Sequence, residues 1–445
     1  MKLKARIVLA VIIFTLIVMT INFSKYLHRS KEQVRLQLIG KESKNANPNL
    51  VNVNEFEVNL KPPNLNEGTK EQFIESELQR LQIDVRSAAS NFKNWPWQIA
   101  ASWVNKRQIY PENHPELATI LYAMSTARII EADVLPKGTQ LKLLFILDGG
   151  QKVVFKQKRY ERDHVIDGKP YDGFDRHNGE IASFHLDRVF NFRRSPITVG
   201  RIVNLRDEVL TVATDRLKKT FLEKDGNLCY FGVCYYCKES EKACAAGDIM
   251  EGAVTLWLPE EYSTFEKLRH PYQRTYVEGR SAKWEKDETY CDTVVKHKPP
   301  YDRGARLLDI ADACAFDYLI GNADRHHYEV FKNKGKDVML IMMDNAKSFG
   351  NPYFHEQSIL APLRQCCILR NSTWLKLHRF KDGVLTKLLE AAMENDPISP
   401  VLHHSHFKAM NERLPHLLST IDHCINERGK DNVILNEWKG VKAKT

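Results

Sequence analysis

A chain of 445 residues that is 43% hydrophobic and 27% charged can bury a sizeable core in two or three lobes, and most of it should fold. Its net charge of +9 is mild and dispersed. The basic groups at 156–162, 193–194 and 218–219 are interrupted by acids and apolar residues. They read as solvated surface, with an anionic ligand as the second reading; no motif supports nucleic-acid binding.

Residues 7–23 are apolar apart from Thr15, Thr20 and Asn22, with Lys2, Lys4 and Arg6 before them and Lys25, His28, Arg29 and Lys31 after. A membrane span needs about 17 to 25 residues, so this run sits at the lower edge. It leaves through Asn22-Phe23-Ser24-Lys25-Tyr26, without the small-residue exit of a cleaved signal peptide. The expectation is an uncleaved signal anchor with residues 1–6 cytoplasmic, although both flanks are basic and charge alone does not decide. Residues 24–68 are polar and largely without periodicity, which reads as a stem. Thr69-Lys70-Glu71-Gln72 is a capping-box pattern that opens an amphipathic helix through Phe73, Leu78, Leu81 and Ile83, in a helical segment over 69–130. Trp95, Trp97 and Trp103 follow; helix packing is the simpler reading and a sugar-stacking platform the sharper one.

Residues 140–147 and 151–156 flank Asp148-Gly149-Gly150 and predict a β-hairpin whose second strand ends on Lys156. A lone strand lysine is usually a solvated edge residue. Asp175-Arg176-His177-Asn178-Gly179-Glu180 then opens a helix. An acid in a first turn suits the helix dipole, but Glu180 is also placed to pair with Lys156 and hold it on nucleotide phosphates. Residues 251–259 read as a further strand, ended by proline, whose backbone can read an adenine edge. Beyond it the pattern turns helical, clearest at 307–320, 374–380, 385–393 and 414–425. A β-rich stretch over 131–258 followed by an α-rich one over 259–445 is a two-lobed α+β plan with a cleft between.

The cleft chemistry is expected from two loops. The apolar helix at 307–320 gives way abruptly to Gly321-Asn322-Ala323-Asp324-Arg325-His326-His327-Tyr328-Glu329, and the buried run 338–343, read as a short strand, ends on Asp344-Asn345. The two acids are twenty residues apart (344 − 324 = 20). Either aspartate alone would be a cap or turn residue more often than not. With Lys156 upstream, the pair suits phosphoryl transfer: one acid accepts the proton of the attacking hydroxyl and the other holds a metal on the phosphates.

Nine cysteines remain: Cys229, Cys234, Cys237, Cys244, Cys291, Cys314, Cys366, Cys367 and Cys424. The group Cys229-x4-Cys234-x2-Cys237-x6-Cys244 is either disulfide-bonded or a zinc knuckle, and the expected anchor favours disulfides. Cys314 lies on the apolar helix and is the expected buried free thiol. Asn371-Ser372-Thr373 is a glycosylation sequon.

The motifs at 175–178, 321–329 and 229–244 resemble the Golgi secretory-pathway kinase family, over about residues 95–424. Asp344-Asn345-Ala346-Lys347-Ser348-Phe349-Gly350 and Asp396-Pro397-Ile398-Ser399-Pro400-Val401-Leu402 resemble its sugar-phosphorylating branch. The resemblance implies an atypical protein-kinase-like fold in a single-pass type II Golgi membrane enzyme with a lumenal catalytic part. The implied reaction uses ATP, with Mn²⁺ (or Mg²⁺), to phosphorylate the 2-hydroxyl of xylose in the glycosaminoglycan–protein linkage region of proteoglycans. By position, Asp324 is implied as catalytic base and Asp344 and Asp175 as metal ligands. Gln140, Lys156, Asp175, Glu180, Glu329 and Asp344 are the implied nucleotide contacts, and Thr255, Leu256, Trp257 and Leu258 the adenine hinge. The implied disulfides are Cys229–Cys244, Cys234–Cys237, Cys291–Cys366 and Cys367–Cys424. Self-association, or association with a relative, stays open. So do a protein kinase acting on Ser-x-Glu sites and a pseudokinase activator as rival functions.

The chain departs from common protein kinases: it has no Gly-x-Gly-x-x-Gly loop, Asn322-Ala323-Asp324 stands for His-Arg-Asp, and Glu329 stands five positions after the aspartate. A carboxylate-rich site of this kind suits Mn²⁺ or Mg²⁺. Acceptor contacts have no spacing signature; Trp97 and Arg193-Arg194 are the candidates.

Overall fold

The computed structural model describes residues 67–85, 96–135, 138–335 and 337–440. The expected anchor and nearly all of the expected stem lie outside the described residues. Among the described residues, no helix is long and apolar enough to cross a membrane.

Helix α1 (Glu67–Leu81) starts before the capping-box pattern, so Thr69 lies inside the helix rather than at its cap. Helices α2 (Trp97–Trp103) and α3 (Glu116–Thr126) follow. The first half of the chain is organised on a five-stranded antiparallel sheet. In spatial order its strands are β1 (Ile129–Val134), β2 (Leu143–Leu147), β3 (Gln151–Gln157), β8 (Ile249–Leu256) and β4 (Thr198–Asn204). The β2–β3 hairpin forms as expected, because Gly149 and Gly150 take φ of 83° and 81° and so accept the left-handed turn that other residues resist. Along β2, Leu143, Phe145 and Leu147 are buried, and Phe145 stacks on Phe155 with centroids 5.0 Å apart.

Helix α4 (His177–Phe190) is buried along its whole length. It lies between the sheet and helices α1 and α8 (Val384–Met393), which accounts for burial on every side. The Arg80 guanidinium of α1 donates to the Arg188 carbonyl at 3.0 Å, so an α1 cation satisfies a carbonyl in the last turn of α4.

The small sheet of β5 (Phe221–Lys224), β6 (Asn227–Tyr230) and β7 (Ala243–Cys244) carries the Cys229–Cys244 bond across its β6–β7 pair. Strand β9 (Phe265–Arg269) pairs with β10 (His327–Phe331), which leaves the 321–326 loop. The second half is built around α5 (Arg306–Ile320), with every residue buried. It stops where Gly321 takes φ 70°, a left-handed cap that turns the chain into the polar loop. Helices α6 (Ala361–Cys366), α7 (Asn371–Arg379), α8 and α9 (His404–Arg428) pack around it, and α9 begins well before the expected 414.

The run 338–343, buried through Met342, is not the expected strand. It makes a single bridge, Ile341 to Glu329, because its flanking amides are taken by other segments, Met339 by the Lys106 carbonyl at 2.9 Å and Met342 by the Arg194 carbonyl at 3.0 Å. Cys291–Cys366 and Cys367–Cys424 tie the helical half together; Cys229–Cys244 and Cys234–Cys237 close the small cluster. Closing loops of 75 and 57 residues stabilises the fold by about 4 kcal/mol each in the chain-entropy account. Cys314 is free and buried.

Candidate active site

Lys156 is the penultimate residue of β3, with its ammonium surrounded by acids. Its Nζ lies 2.6 Å from Glu180 Oε1, 3.0 Å from Asp344 Oδ1 and 3.2 Å from Asp175 Oδ2. Lys347 adds a second ammonium 3.8 Å from Asp175 Oδ1, so three carboxylates share two lysines in direct contact. Burial alone would lower the pKa of Lys156, but the three acids hold it well above its usual value. Lys156 in turn holds the Asp344 carboxyl well below the usual carboxylate range. Glu180 points both ways: its other oxygen accepts from the Asn345 amide at 3.2 Å, so one helical acid fixes both the lysine and the loop that carries Asp344.

That loop turns sharply at Asp344. Asp344 takes φ 61°, a left-handed conformation rare outside glycine, asparagine and aspartate. Arg325 spans it: its guanidinium binds Asp317 with two nitrogens and reaches the Met343 carbonyl at 3.0 Å and Asn345 Oδ1 at 2.6 Å. From the other side Arg176 donates to the Ser348 carbonyl at 2.7 Å, while its amide donates to the Ala346 carbonyl at 2.9 Å. Asp175 is therefore locked to the 344–349 loop by the residue beside it.

Asp324 leads out of the α5 cap. Its amide donates to Asn322 Oδ1 at 3.1 Å, and Tyr276 donates its hydroxyl to Asp324 Oδ1 at 2.8 Å. Lys347 ties the centre together. Burial lowers its ammonium pKa, while Asp175, Asp324 and Asp344 all raise it, so the three acids share one field. Glu329 on β10 joins them through the Ile341 bridge; burial and then Asp344 push its carboxyl upward. Gln140 and Asp175 line one cavity of about 480 Å³, with Tyr235 and Cys237 on its far wall. The hinge continues from β8: Leu256 and Leu258 are buried, and Trp257 closes a bond to β3, its amide donating to the Lys152 carbonyl at 3.1 Å.

Lys156, Asp175, Glu180 and Asp344 thus meet directly, and Asp324 and Glu329 lie within electrostatic reach of them. Trp97 and the arginine pair do not join them. Trp97 is buried and donates to the Asp148 carbonyl at 3.0 Å, which is packing rather than a sugar platform. Arg194 is buried on Asp309 and Asp312, and Arg193 donates to Gln108 at 2.7 Å. Sequence reasoning passed over Arg325, Lys142 and Tyr276. Arg325 had a signal: Asp317 is a buried acid in the last turn of α5, where the helix dipole opposes it and a cation is needed. Lys142, the residue before β2, adds another ammonium to the field around Asp344.

Among the described residues, no three acids, histidines or cysteines already stand as a complete metal-binding group. The acids here converge on Lys156 instead. A divalent cation arriving with a nucleotide would take Asp344 and Asp175 as part of its shell and phosphate oxygens as the rest. The all-oxygen, over-acidic donor set fits such a cation.

A family model described as Fam20C: Golgi casein kinase, C-terminal, Fam20 matches residues 95–433. The Homo sapiens protein named glycosaminoglycan xylosylkinase is 56% identical over 357 residues, which is 80% of this chain and 87% of that protein. The solved structure of hydra Fam20 with sugar superposes with a TM-score of 0.74 at 48% identity, covering 77% of this chain and 99% of that one. The Golgi casein kinase with Mn/ADP bound superposes with a TM-score of 0.76 at 36% identity, covering 79% of this chain and 86% of that one.

Proposed function

Because the chain belongs to the Fam20 family, we propose that its cleft transfers the γ-phosphoryl group of ATP to the 2-hydroxyl of xylose in the glycosaminoglycan–protein linkage region. The observation that carries the chemistry is the over-acidic cluster on Lys156 beside a separately held Asp324. Likeness to the xylosylkinase and to a sugar-bound relative supports the acceptor.

In this reading the acceptor hydroxyl gives its proton to Asp324, its oxygen attacks the γ-phosphorus, and the bond to the β-phosphate oxygen breaks to release ADP. Lys156, fixed by Glu180, neutralises phosphate charge. Gln140 lies on the phosphate side, and Thr255, Leu256, Trp257 and Leu258 carry the adenine. Asp344 and Asp175 would hold Mn²⁺ (or Mg²⁺), with Glu329 nearby; a bound divalent ion supplies charge neutralisation on the transferring phosphates.

Radiolabel transfer from ATP in Mn²⁺ to a galactosyl-xylose acceptor, against casein-like peptides with Ser-x-Glu sites, tests the assignment. Label on the disaccharide is expected. Label on peptide alone means a protein kinase. Label on neither, with stimulation of a related kinase, means a pseudokinase activator.

The same reading places the enzyme in the Golgi membrane as a single-pass type II protein, its catalytic part lumenal. The apolar run at 7–23 and four disulfides support this. N-terminal sequencing that found cleavage near Ser24 would overturn it. Asn371 opens α7 as the glycan site; Thr373 of its sequon is buried on Asp312, so attachment there would precede folding.

A further inference from the structure

We propose that Tyr276 is the positioning residue of the acceptor end of the cleft, which rests on Asp324 being the base. Its hydroxyl pins Asp324 Oδ1 at 2.8 Å. Among the described residues no donor is bonded to Oδ2, so one carboxylate oxygen is held and the other is left to take a proton. A carboxylate held at one oxygen has a defined direction, and a free one does not. Direction is what a base needs to meet a hydroxyl within hydrogen-bond reach.

Tyr276 is 36% exposed, and three features set it apart from a surface tyrosine that merely happens to cap an acid. Its backbone takes φ 56°, an outlier for a bulky aromatic, and such strain persists only where the surroundings impose it. The surroundings are anchored: Thr275 Oγ1 donates to the Arg280 carbonyl at 2.7 Å and Trp284 Nε1 to the Gln273 carbonyl at 3.0 Å. Arg274 donates to the Ala323 carbonyl at 3.3 Å, tying this loop to the residue next to Asp324. Second, the ring meets partners from two separate loops. Tyr171 packs edge-on at 4.8 Å and His326 at 5.6 Å, so the loop before α4 and the loop after α5 are joined through this side chain. Third, burial and then Asp324 hold the phenol well above its usual range, so it stays a donor at any working pH.

The test is Tyr276→Phe, which keeps the ring and deletes the hydroxyl, with Tyr276→Ala and Asp324→Ala beside it. Turnover on galactosyl-xylose should fall roughly 10- to 100-fold in Tyr276→Phe, less than the roughly 100- to 10,000-fold that a positioned proton acceptor itself supplies. Its KM for ATP, its ADP affinity and its melting temperature should match the parent. Tyr276→Ala should lose more turnover and raise the acceptor KM. Parental turnover in Tyr276→Phe while Asp324→Ala is inactive would overturn the role of Tyr276 alone. Parallel loss of ADP affinity and melting temperature in Tyr276→Phe would make the residue merely structural. Full turnover in Asp324→Ala would remove the base on which both readings stand.

Discussion

Two networks of acids and cations lie in this molecule, one enclosed and one open to solvent at Asp344, and they are built differently. In the first, Asp309 and Asp312 of α5 meet Arg194 and Arg370: Arg194 lies 3.3 Å from Asp309 and 3.1 Å from Asp312, and Arg370 Nε donates to Asp312 at 2.9 Å. Thr373 adds its hydroxyl at 2.6 Å, and the Arg194 carbonyl accepts the Met342 amide at 3.0 Å. Two acids meet two arginines, and the charge closes. In the second, Asp175, Glu180 and Asp344 share Lys156, Glu329 is pushed upward nearby, and Asp344 sits in a strained backbone conformation. The balanced network holds the two halves of the chain together. The second keeps one carboxylate more than the two lysines in contact with it, Lys156 and Lys347, and the Asp344 side chain is 75% exposed, so its oxygens stay open to a ligand.

The contrast can be broken at the balanced end. Replacing Arg194 with leucine leaves two buried carboxylates on one arginine, a loss on the order of 3 kcal/mol. Chemical denaturation should show that loss, while ADP affinity of the folded fraction stays at the parental value. Loss of ADP affinity without loss of stability would mean that the network belongs to the site.

A smaller effect sharpens the comparison from a third place. Asp396 is buried and accepts only amides, from Gly200 and Ile398, both at 3.0 Å. Burial raises its carboxyl from 3.8 to about 6, against the pull of those amides. The folded chain therefore binds this proton more tightly than the unfolded chain. The associated stability is complete below about pH 4 and is lost as pH rises through 6, by up to roughly 3 kcal/mol. Asp396→Asn should accordingly gain melting temperature relative to the parent between pH 4 and pH 7. A difference that stays constant across that range would mean the aspartate does not titrate there.

Much of the site was legible because its residues sit where periodicity breaks. Asp324 follows the end of a helical apolar pattern and Lys156 ends a hairpin strand, so local sequence marks both positions. The disulfides followed from family resemblance, since nine cysteines alone leave many pairings open. What stayed hidden depends on contacts distant in sequence. Tyr276 precedes Asp324 by 48 residues, and no periodicity links them. Arg193-Arg194 looked like a surface basic pair, because nothing local shows that Asp309 and Asp312 bury one member of it. The run 338–343 was apolar and short enough for a strand, yet its amides went to three separate segments, at Lys106, Glu329 and Arg194, rather than to one neighbouring strand. Trp97 could be read as a platform until the Asp148 carbonyl claimed its ring nitrogen.

The unbalanced cluster is the centre of the account, and calorimetric titration of ADP with and without Mn²⁺ tests it most directly. The account predicts that Mn²⁺ raises ADP affinity at least about tenfold in the parent, and that Asp344→Asn removes that increment while keeping the metal-free affinity. Equal ADP affinity with and without the ion, or an increment that survives in Asp344→Asn, would contradict it.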